Sequence, residues 1–343
     1  MGLNFCAPKQ ACAIRKRTIM GNETKRWLFI ALVVLQTVIF GFGNVLTKIA
    51  YSDITPLWCL VLRFGLALAV FVALFGRIIV RDLRQVRVRA WLPAAVCMAL
   101  SYIGCNVALD LTTATNVGFL VALPVVFAPL LSSLVNRKRY PVAFLPFQGA
   151  VVVGLYLLCT NGGQLTFGLG EVLALLSSVA MAGALVFGER GLKSLDVCTV
   201  AGTQIATTLV ISLAFALVAE PMVDVSNVTP LAWGTIAFLA LASTCLTFFL
   251  QNKALTVLKS STVSLLLTGE PVFTAVFSLP MLGEMLDGRG FAGAAIIVVA
   301  VVCATVLEGR KDETPASAPA PAFDLAELSH AAIEPAWRDR RAA

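Results

Sequence analysis

The chain has 343 residues, of which 59% are hydrophobic and 13% charged, and its formal net charge is +7. Its mean hydropathy is +0.88. A soluble globule of this length needs more polar surface than this composition supplies, so we expect lipid to cover much of the surface. The composition therefore excludes an ordinary soluble domain and predicts an integral membrane protein.

Ten apolar runs follow one another along the chain, each of about 20 residues, the length that crosses the hydrocarbon core as a helix. Membrane strands would alternate apolar and polar residues, whereas a helix satisfies its own backbone hydrogen bonds in lipid. The sequence thus predicts an all-α polytopic membrane protein with ten transmembrane helices. Their predicted positions are 27–47, 57–76, 91–109, 114–135, 142–160, 170–188, 197–219, 230–250, 260–282 and 290–307.

Basic residues predict the orientation, because positively charged loops stay on the cytoplasmic side. If the amino terminus is cytoplasmic, 23 of the 26 Lys and Arg residues lie in loops and tails on that side. Arg289 alone lies in the opposite loops, and Lys48 and Arg63 fall inside helices. We therefore expect a multi-pass protein of the inner (plasma) membrane with both termini cytoplasmic. Topology explains the positive charge, so no nucleic-acid partner is expected.

Two stretches, 111–128 and 258–275, match at an offset of 147 residues, and each has a proline near its middle, Pro124 or Pro271. Proline lacks an amide hydrogen and clashes with the preceding turn, so we expect each to kink its helix. Five helices per half make the second half enter the membrane inverted, which places both prolines near the bilayer midplane. Paired interruptions of this kind are typical of the binding region of a secondary transporter.

The expected organisation is two inverted five-helix repeats between polar ends. The carboxyl end changes abruptly to Ala, Pro and charge (TPASAPAPAF), a composition typical of disorder. The expected parts are a basic cytoplasmic arm over 1–26, a first repeat over 27–160, a second repeat over 161–308 and a disordered cytoplasmic tail over 309–343.

Short motifs in both halves resemble those of a known family. Residues 40–48 (FGFGNVLTK) resemble its first-helix motif of an aromatic residue, Gly, Asn and Lys, and residues 56–64 resemble its second-helix start. Residues 269–271 (GEP) and 283–284 (GE) resemble its Glu-Pro and Leu-Gly-Glu signature. Over roughly 30–308 the chain resembles a bacterial EamA-type member of the drug/metabolite transporter superfamily. The resemblance implies ten helices in two inverted repeats and export, or less often uptake, of small metabolites.

Charged residues inside predicted helices are costly and are therefore functional candidates. Glu270 is the deepest, beside Pro271, and a carboxylate in low dielectric could carry a proton, which makes it the proton-coupling candidate. Arg63 lies deep enough to favour a binding or gating role over contact with water. Lys48 could instead extend to water at the membrane surface, and Glu270 could be a buried structural carboxylate. Both alternatives stay open.

Polar residues near the same depth complete the set, and any of them could equally join helices by hydrogen bonds. The substrate-binding or gating candidates are Asn44, Lys48, Arg63, Asn106, Pro124, Thr268, Glu270 and Pro271.

No catalytic residue, cofactor or metal site is predicted. The GxGxxG, P-loop, HExxH and GxSxG motifs do not occur in a supporting context, and the one histidine, His330, is in the carboxyl tail. The nine cysteines form no CxxC pair and are interpreted as small hydrophobic residues. We therefore expect a protein that is not an enzyme and binds no cofactor.

Two functions remain. The first is a secondary active transporter that exports small metabolites, such as amino acids or organic anions, by alternating access, with proton coupling and a homodimer left open. Arg63 and Lys48 against one Glu270 favour cargo that carries a carboxylate. The alternative is a non-transporting membrane receptor or assembly factor, which explains the helices but gives the paired prolines no role.

Overall fold

The protein is helical throughout the residues that its computed structural model describes, which are 8–112, 114–137, 140, 142–160, 168–223, 228–283 and 287–313. The helices are α1 (Pro8–Ala50), α2 (Pro56–Gln85), α3 (Leu92–Leu111), α4 (Ala114–Val121), α5 (Pro124–Asn136), α6 (Leu145–Thr160), α7 (Leu169–Gly191), α8 (Val197–Ala219), α9 (Pro230–Ala240), α10 (Thr247–Leu255), α11 (Ser260–Leu267), α12 (Glu270–Leu282) and α13 (Gly288–Glu313).

Within this described part of the chain the helices form ten apolar spans. Nine segments are long and apolar enough to cross a membrane, and a shorter apolar segment, Val142–Leu158, supplies the tenth. Three spans consist of two helices in line: α4 with α5, α9 with α10, and α11 with α12. The predicted all-α, ten-helix architecture is confirmed.

Two helices extend well beyond the apolar runs that predicted them. α1 begins at Pro8, so most of the basic arm expected over 1–26 is helical, and α2 continues to Gln85 instead of ending near 76. The segment 77–85 (RIIVRDLRQ) has no Gly or Pro and is rich in residues that favour helix. An apolar run covers only the part of a helix that crosses the hydrocarbon core, and the helix itself can continue beyond that layer.

The chain forms two units by its contacts, Met1–Thr305 and Val306–Ala343. Of the second, the structure describes only the end of α13. Most of the expected tail, with His330, and the motif residue Glu284 lie outside the described residues.

In the first unit, α1 approaches two other helices very closely through two glycines. A Cβ atom at Gly41 would lie 2.6 Å from the Cβ of Phe273 in α12. A Cβ atom at Gly43 would lie 2.9 Å from the Oγ of Ser243, in the segment between α9 and α10. Lipid is as apolar as leucine, so helices in membranes associate through close packing at small residues. These glycines position the next turn of α1 beside α12.

Candidate functional site

Both proline-containing spans are interrupted at the predicted prolines. α4 ends at Val121 and α5 begins at Pro124, while α11 ends at Leu267 and α12 begins at Glu270 and Pro271. We expected kinks in continuous helices, and instead each helix ends and a new one begins. Each proline occupies the first turn of the new helix, where its missing N–H has no helical partner to lose.

Tight turns close the backbone at both interruptions. The amide of Leu123 donates to the carbonyl of Leu120 at 3.2 Å, and the amide of Gly269 donates to the carbonyl of Leu266 at 3.1 Å. Such bonds to the third preceding residue satisfy groups at a helix end that the α-helical pattern leaves unpaired. Any chemistry at the interruptions must therefore come largely from side chains.

Glu270, at the second interruption, is held by a neutral donor from α1. Asn44 Nδ2 donates to Glu270 Oε1 at 2.8 Å and to Thr274 Oγ1 at 3.2 Å. Across the described residues Glu270 forms no salt bridge. The carboxyl group is thus hydrogen-bonded without a paired cation, inside a membrane span where an uncompensated charge is expensive. This arrangement leaves the carboxylate able to bind a proton or a cationic group.

Asn44 is exposed on a side of α1 that differs from the side exposed in the first half of the span, and Lys48 is exposed one turn later. In the first half of the span the exposed residues include Trp27, Leu28 and Leu35. At 3.6 residues per turn, Asn44 is rotated from these by between about 100° and 180°. Asn44 points toward α12, as its bond to Glu270 requires. Asn44 and Lys48 are exposed and Glu270 is half-buried, so all three side chains have accessible surface.

Arg63 is buried and binds the segment Leu241–Leu246, a π-helical turn between α9 and α10. Its Nε donates to Thr244 Oγ1 at 2.7 Å and its Nη2 donates to the carbonyl of Ser243 at 2.6 Å. The guanidinium carbon lies 5.4 Å from the ring centroid of Tyr102, within range of a cation–π interaction. Arg63 therefore joins α2, α3 and the π-helical turn, and it does not contact Glu270 directly.

Asn106 joins helices, and its counterpart in the second half does the same. It accepts a hydrogen bond from the Tyr51 hydroxyl, and its Nδ2 donates to the carbonyl of Tyr102 at 2.8 Å. Asn252, 146 residues later and so one short of the repeat offset, donates from Nδ2 to the carbonyl of Phe248 at 2.9 Å and to Gln204 Oε1 of α8 at 2.8 Å. The two asparagines thus occupy similar places in the two halves, with a slip of one residue.

The remaining candidates support the interruptions themselves. Thr268 is buried and donates from Oγ1 to the carbonyl of Leu265 at 2.5 Å, which closes the end of α11. Pro124 is buried and Pro271 is half-buried. Among the eight candidates, Asn44 and Glu270 are brought into direct hydrogen-bond contact with one another.

Thr274 and the π-helical turn were missed in the sequence. Thr274 lies four residues after Glu270, one helical turn away, a spacing that could have suggested a shared face. The π-helical turn carries no comparable signal, because its residues 241–246 (LASTCL) resemble any small-residue stretch of a membrane helix.

Two carboxylates that the sequence did not single out tie α2 to α8 at both ends. Glu220 follows α8 and accepts a hydrogen bond from Thr55 Oγ1, at the start of α2, at 2.6 Å. Asp82, near the end of α2, accepts from the Asp196 amide at 3.1 Å and from Thr199 Oγ1 at 3.0 Å, at the start of α8. Negative charge at a helix N-terminus is stabilising. Each helix of the antiparallel pair α2–α8 thus has its N-terminus bonded to a carboxylate at or just beyond the C-terminal end of the other helix.

A third carboxylate attaches the loop between α1 and α2 to α9. Asp53 accepts hydrogen bonds from Ser52 Oγ at 3.0 Å and from Thr229, the residue that caps α9. The bond from Thr229 lowers the pKa of Asp53 below its ordinary value. Because the folded pKa is lowered, this attachment is present at neutral pH and is lost only as the pH falls through that lowered value.

Known proteins resemble this chain over most of its length. An uncharacterized transporter of Archaeoglobus fulgidus is 26% identical over 283 residues, which cover 82% of this chain and 87% of the relative. YwfM, an uncharacterized transporter of Bacillus subtilis, is 23% identical over 242 residues, which cover 67% of this chain and 79% of the relative. A solved crystal structure that is 19% identical matches with a TM-score of 0.70 over 83% of this chain and 99% of the other, which shows the same fold.

The EamA-like transporter family matches the chain twice, over residues 27–160 and 168–306. Each match covers five of the ten spans, and an odd number of crossings places the second set in the membrane inverted relative to the first. The two matches together cover well over half of the chain, and the chain belongs to the EamA-like transporter family.

Proposed function

We propose that this membrane transporter is a secondary active carrier that exports small metabolites, such as amino acids or organic anions, by alternating access. The observation that carries the proposal is the bond between Asn44 and Glu270, at the interruption of the ninth span. An interrupted span supplies a place where two half-helices can tilt separately, and the unneutralised carboxylate supplies a group that cargo or a proton can engage.

The two repeats would move as the halves of the carrier, with 27–160 in one and 161–308 in the other. Asn44 belongs to the first half and Glu270 to the second, so their hydrogen bond crosses between halves. A cargo or proton that takes the place of Asn44 on the carboxylate would release this link. Occupancy of the site and the relative position of the halves are coupled in this way.

Two cations against one carboxylate favour cargo with a negative group. Lys48 is exposed beside Asn44, and Arg63 is fixed to the π-helical turn, whereas Glu270 is the acid of this region. Complementary charge steers and selects a ligand more than it adds affinity. A carboxylate on the cargo would meet exposed Lys48, with the buried Arg63 adding positive charge at longer range, while Glu270 takes up a proton or the ammonium group of an amino acid.

The proposal includes proton coupling through Glu270, with protons entering as cargo leaves. It also includes an inner-membrane location with both termini cytoplasmic, and a carrier that needs neither catalytic residue nor cofactor. Assembly as a homodimer is compatible with this scheme and is not required by it.

The test is transport by purified protein in proteoliposomes, with a panel of labelled amino acids, organic acids and cationic dyes, with and without a pH gradient. We expect saturable counterflow of one carboxylate-bearing class, driven by an imposed gradient. The variant Glu270→Gln should lose the response to the gradient. Asp110→Asn, at an exposed acid at the end of α3, is the matched control and should retain it.

Counterflow also separates a carrier from a receptor or assembly factor. Saturable binding without counterflow, in protein that unfolds at the usual temperature, would favour the receptor. Wild-type transport and pH dependence in Glu270→Gln would remove the proton-coupling role. Transport of cationic dyes alone, unchanged in Arg63→Gln, would overturn the proposed cargo class.

A further inference from the structure

A basic groove lies on the outer surface of α2, near the end of that helix. The groove has a volume of about 600 Å³ and is lined by Gly76, Arg77, Val80, Arg81, Arg84 and Gln85. The three arginines are exposed and follow one another at intervals of four and three residues, so they share one face of the helix. The hydrogen bonds described above at the two helix interruptions involve none of these arginines.

The groove keeps a net positive charge. Arg81 Nη2 lies 3.1 Å from Asp82 Oδ1, which partly neutralises this arginine. The other oxygen of Asp82 is already engaged by the Asp196 amide and by Thr199 at the start of α8. Asp82 is therefore a poor counter-ion for the rest of the groove, and Arg77 and Arg84 retain their charge.

Apolar surface continues from the groove along the same helix. Val72 and Val80 are 48% and 50% exposed, and Gly76 lies between them at the same four-residue interval. This strip adjoins the arginines, so the face changes from apolar to basic within about two turns. A ligand that fits it has an acyl chain at one end and an anionic group at the other.

The depth of the groove in the membrane agrees with such a ligand. α2 has 30 residues and is about 45 Å long, more than the roughly 30 Å of the hydrocarbon core. Its last turns therefore reach the headgroup layer, cytoplasmic in the expected orientation. At that level the surrounding solvent is phospholipid, and basic pockets there suit anionic headgroups.

We propose that this groove is a binding site for an anionic phospholipid, with the phosphodiester held by Arg77, Arg84 and Arg81 and an acyl chain along Val72, Gly76 and Val80. The site lies on α2, which is fastened to α8 through Asp82. A bound lipid would therefore hold the end of the α2–α8 pair at a fixed height in the membrane. The proposal rests on the membrane-spanning fold and is independent of the cargo.

The test is a titration of the full-length protein in neutral detergent with dioctanoyl phosphatidylglycerol, followed by native mass spectrometry and by the temperature of unfolding. Wild type should bind the lipid saturably and unfold at a higher temperature. Near a membrane surface each arginine is worth about fivefold in affinity for anionic lipid, so Arg77→Gln/Arg84→Gln should weaken binding at least about tenfold. Arg81→Gln should have a smaller effect, because Asp82 already neutralises part of its charge.

Matched controls come from the loop that follows. Arg87 and Arg89 are exposed but do not line the groove, so Arg87→Gln/Arg89→Gln removes the same charge and should leave binding unchanged. Arg77→Lys/Arg84→Lys keeps the charge and should retain most of the binding, which separates lost charge from lost folding.

Three further ligands test whether binding requires both the anionic group and the acyl chains. Dioctanoyl phosphatidylcholine has the same chains without net charge and should bind at least about tenfold more weakly than phosphatidylglycerol. Inorganic phosphate and glycerophosphoglycerol have the anion without chains and should not raise the unfolding temperature at matched concentration. Equal loss in the loop control, unchanged binding in Arg77→Gln/Arg84→Gln, or equal effects of free phosphate and lipid would each overturn the proposal.

Discussion

The interruptions of the fourth and ninth spans have similar backbones and different side chains. Pro124 and Pro271 are separated by the repeat offset of 147 residues, and each begins a helix after a tight turn. The residue before each proline differs: Leu123 in the first half and Glu270 in the second. The repeat therefore preserves the interruption, whereas the charge occurs in one copy only.

The surroundings of the two interruptions follow this difference. Leu123 packs at the edge of an apolar cluster that includes Leu120 and Val125, and the carbonyl of Val125 accepts a hydrogen bond from Gln148 Nε2 at 2.9 Å. Glu270 is half-buried and accepts a hydrogen bond from Asn44. On the proposed function, the inverted repeat supplies the same helix interruption twice, with structural support at the first copy and ligand chemistry at the second.

The largest effect is expected when the second interruption is given the residue of the first. Glu270→Leu removes the proposed proton carrier, so transport driven by a pH gradient should be lost. The hydrogen bond lost with it, from a neutral donor to a charged group, is worth about 1.5–3 kcal/mol, or at least about tenfold. Leucine is the residue of the equivalent position, so the fold should be retained. Counterflow should be lost, while the unfolding temperature should stay close to that of the wild type. A parallel fall of both would mean that Glu270 is structural.

The reverse exchange should damage the fold instead. Leu123→Glu puts a carboxylate into an apolar cluster where the nearby amide of Gln148 already donates to the carbonyl of Val125, at a cost of about 3 kcal/mol in stability. The measurement is thermal unfolding in detergent, with Leu123→Gln as the uncharged control. If Leu123→Glu were as stable as wild type, the two interruptions would be equally polar sites and the proposed asymmetry would be wrong.

Separating α1 from α12 should weaken the second interruption alone. Gly41→Ala places a Cβ atom 2.6 Å from the Cβ of Phe273, and overpacking of this kind typically costs about 1–3 kcal/mol. The displaced α1 should lose the bond from Asn44 to Glu270, so counterflow should fall with stability. Gly234→Ala is the control, because a Cβ atom there would meet nothing within 4 Å.

The smallest effect is expected from the amide that supports the first interruption. Gln148→Met keeps most of the volume of the side chain and leaves the carbonyl of Val125 without this donor, at a cost of about 1–2 kcal/mol. The unfolding temperature should fall while the cargo affinity of the remaining folded protein stays unchanged. An altered affinity would show that the first interruption also contributes to the binding site.

Much of this architecture could be predicted from the order of the residues. Ten apolar runs specify ten helical spans, because the bilayer admits helices of a fixed minimum length. The span Val197–Ala219 coincides with its predicted bounds. The repeated prolines located both interruptions, since a residue without an amide hydrogen disrupts a helix wherever it falls. These features are local, so each can be inferred from a short stretch of sequence.

Only the tertiary structure decided which polar residues meet. In the structure Asn44 bonds to Glu270, whereas Arg63 bonds to the π-helical turn. Asp82 and Glu220 join α2 to α8. In each case the partners are far apart in the chain, and helix register and crossing determine whether they touch. The position of a residue in its span gives its depth in the membrane, and the helical period gives its face of the helix. Neither gives the identity of the helix that the residue contacts.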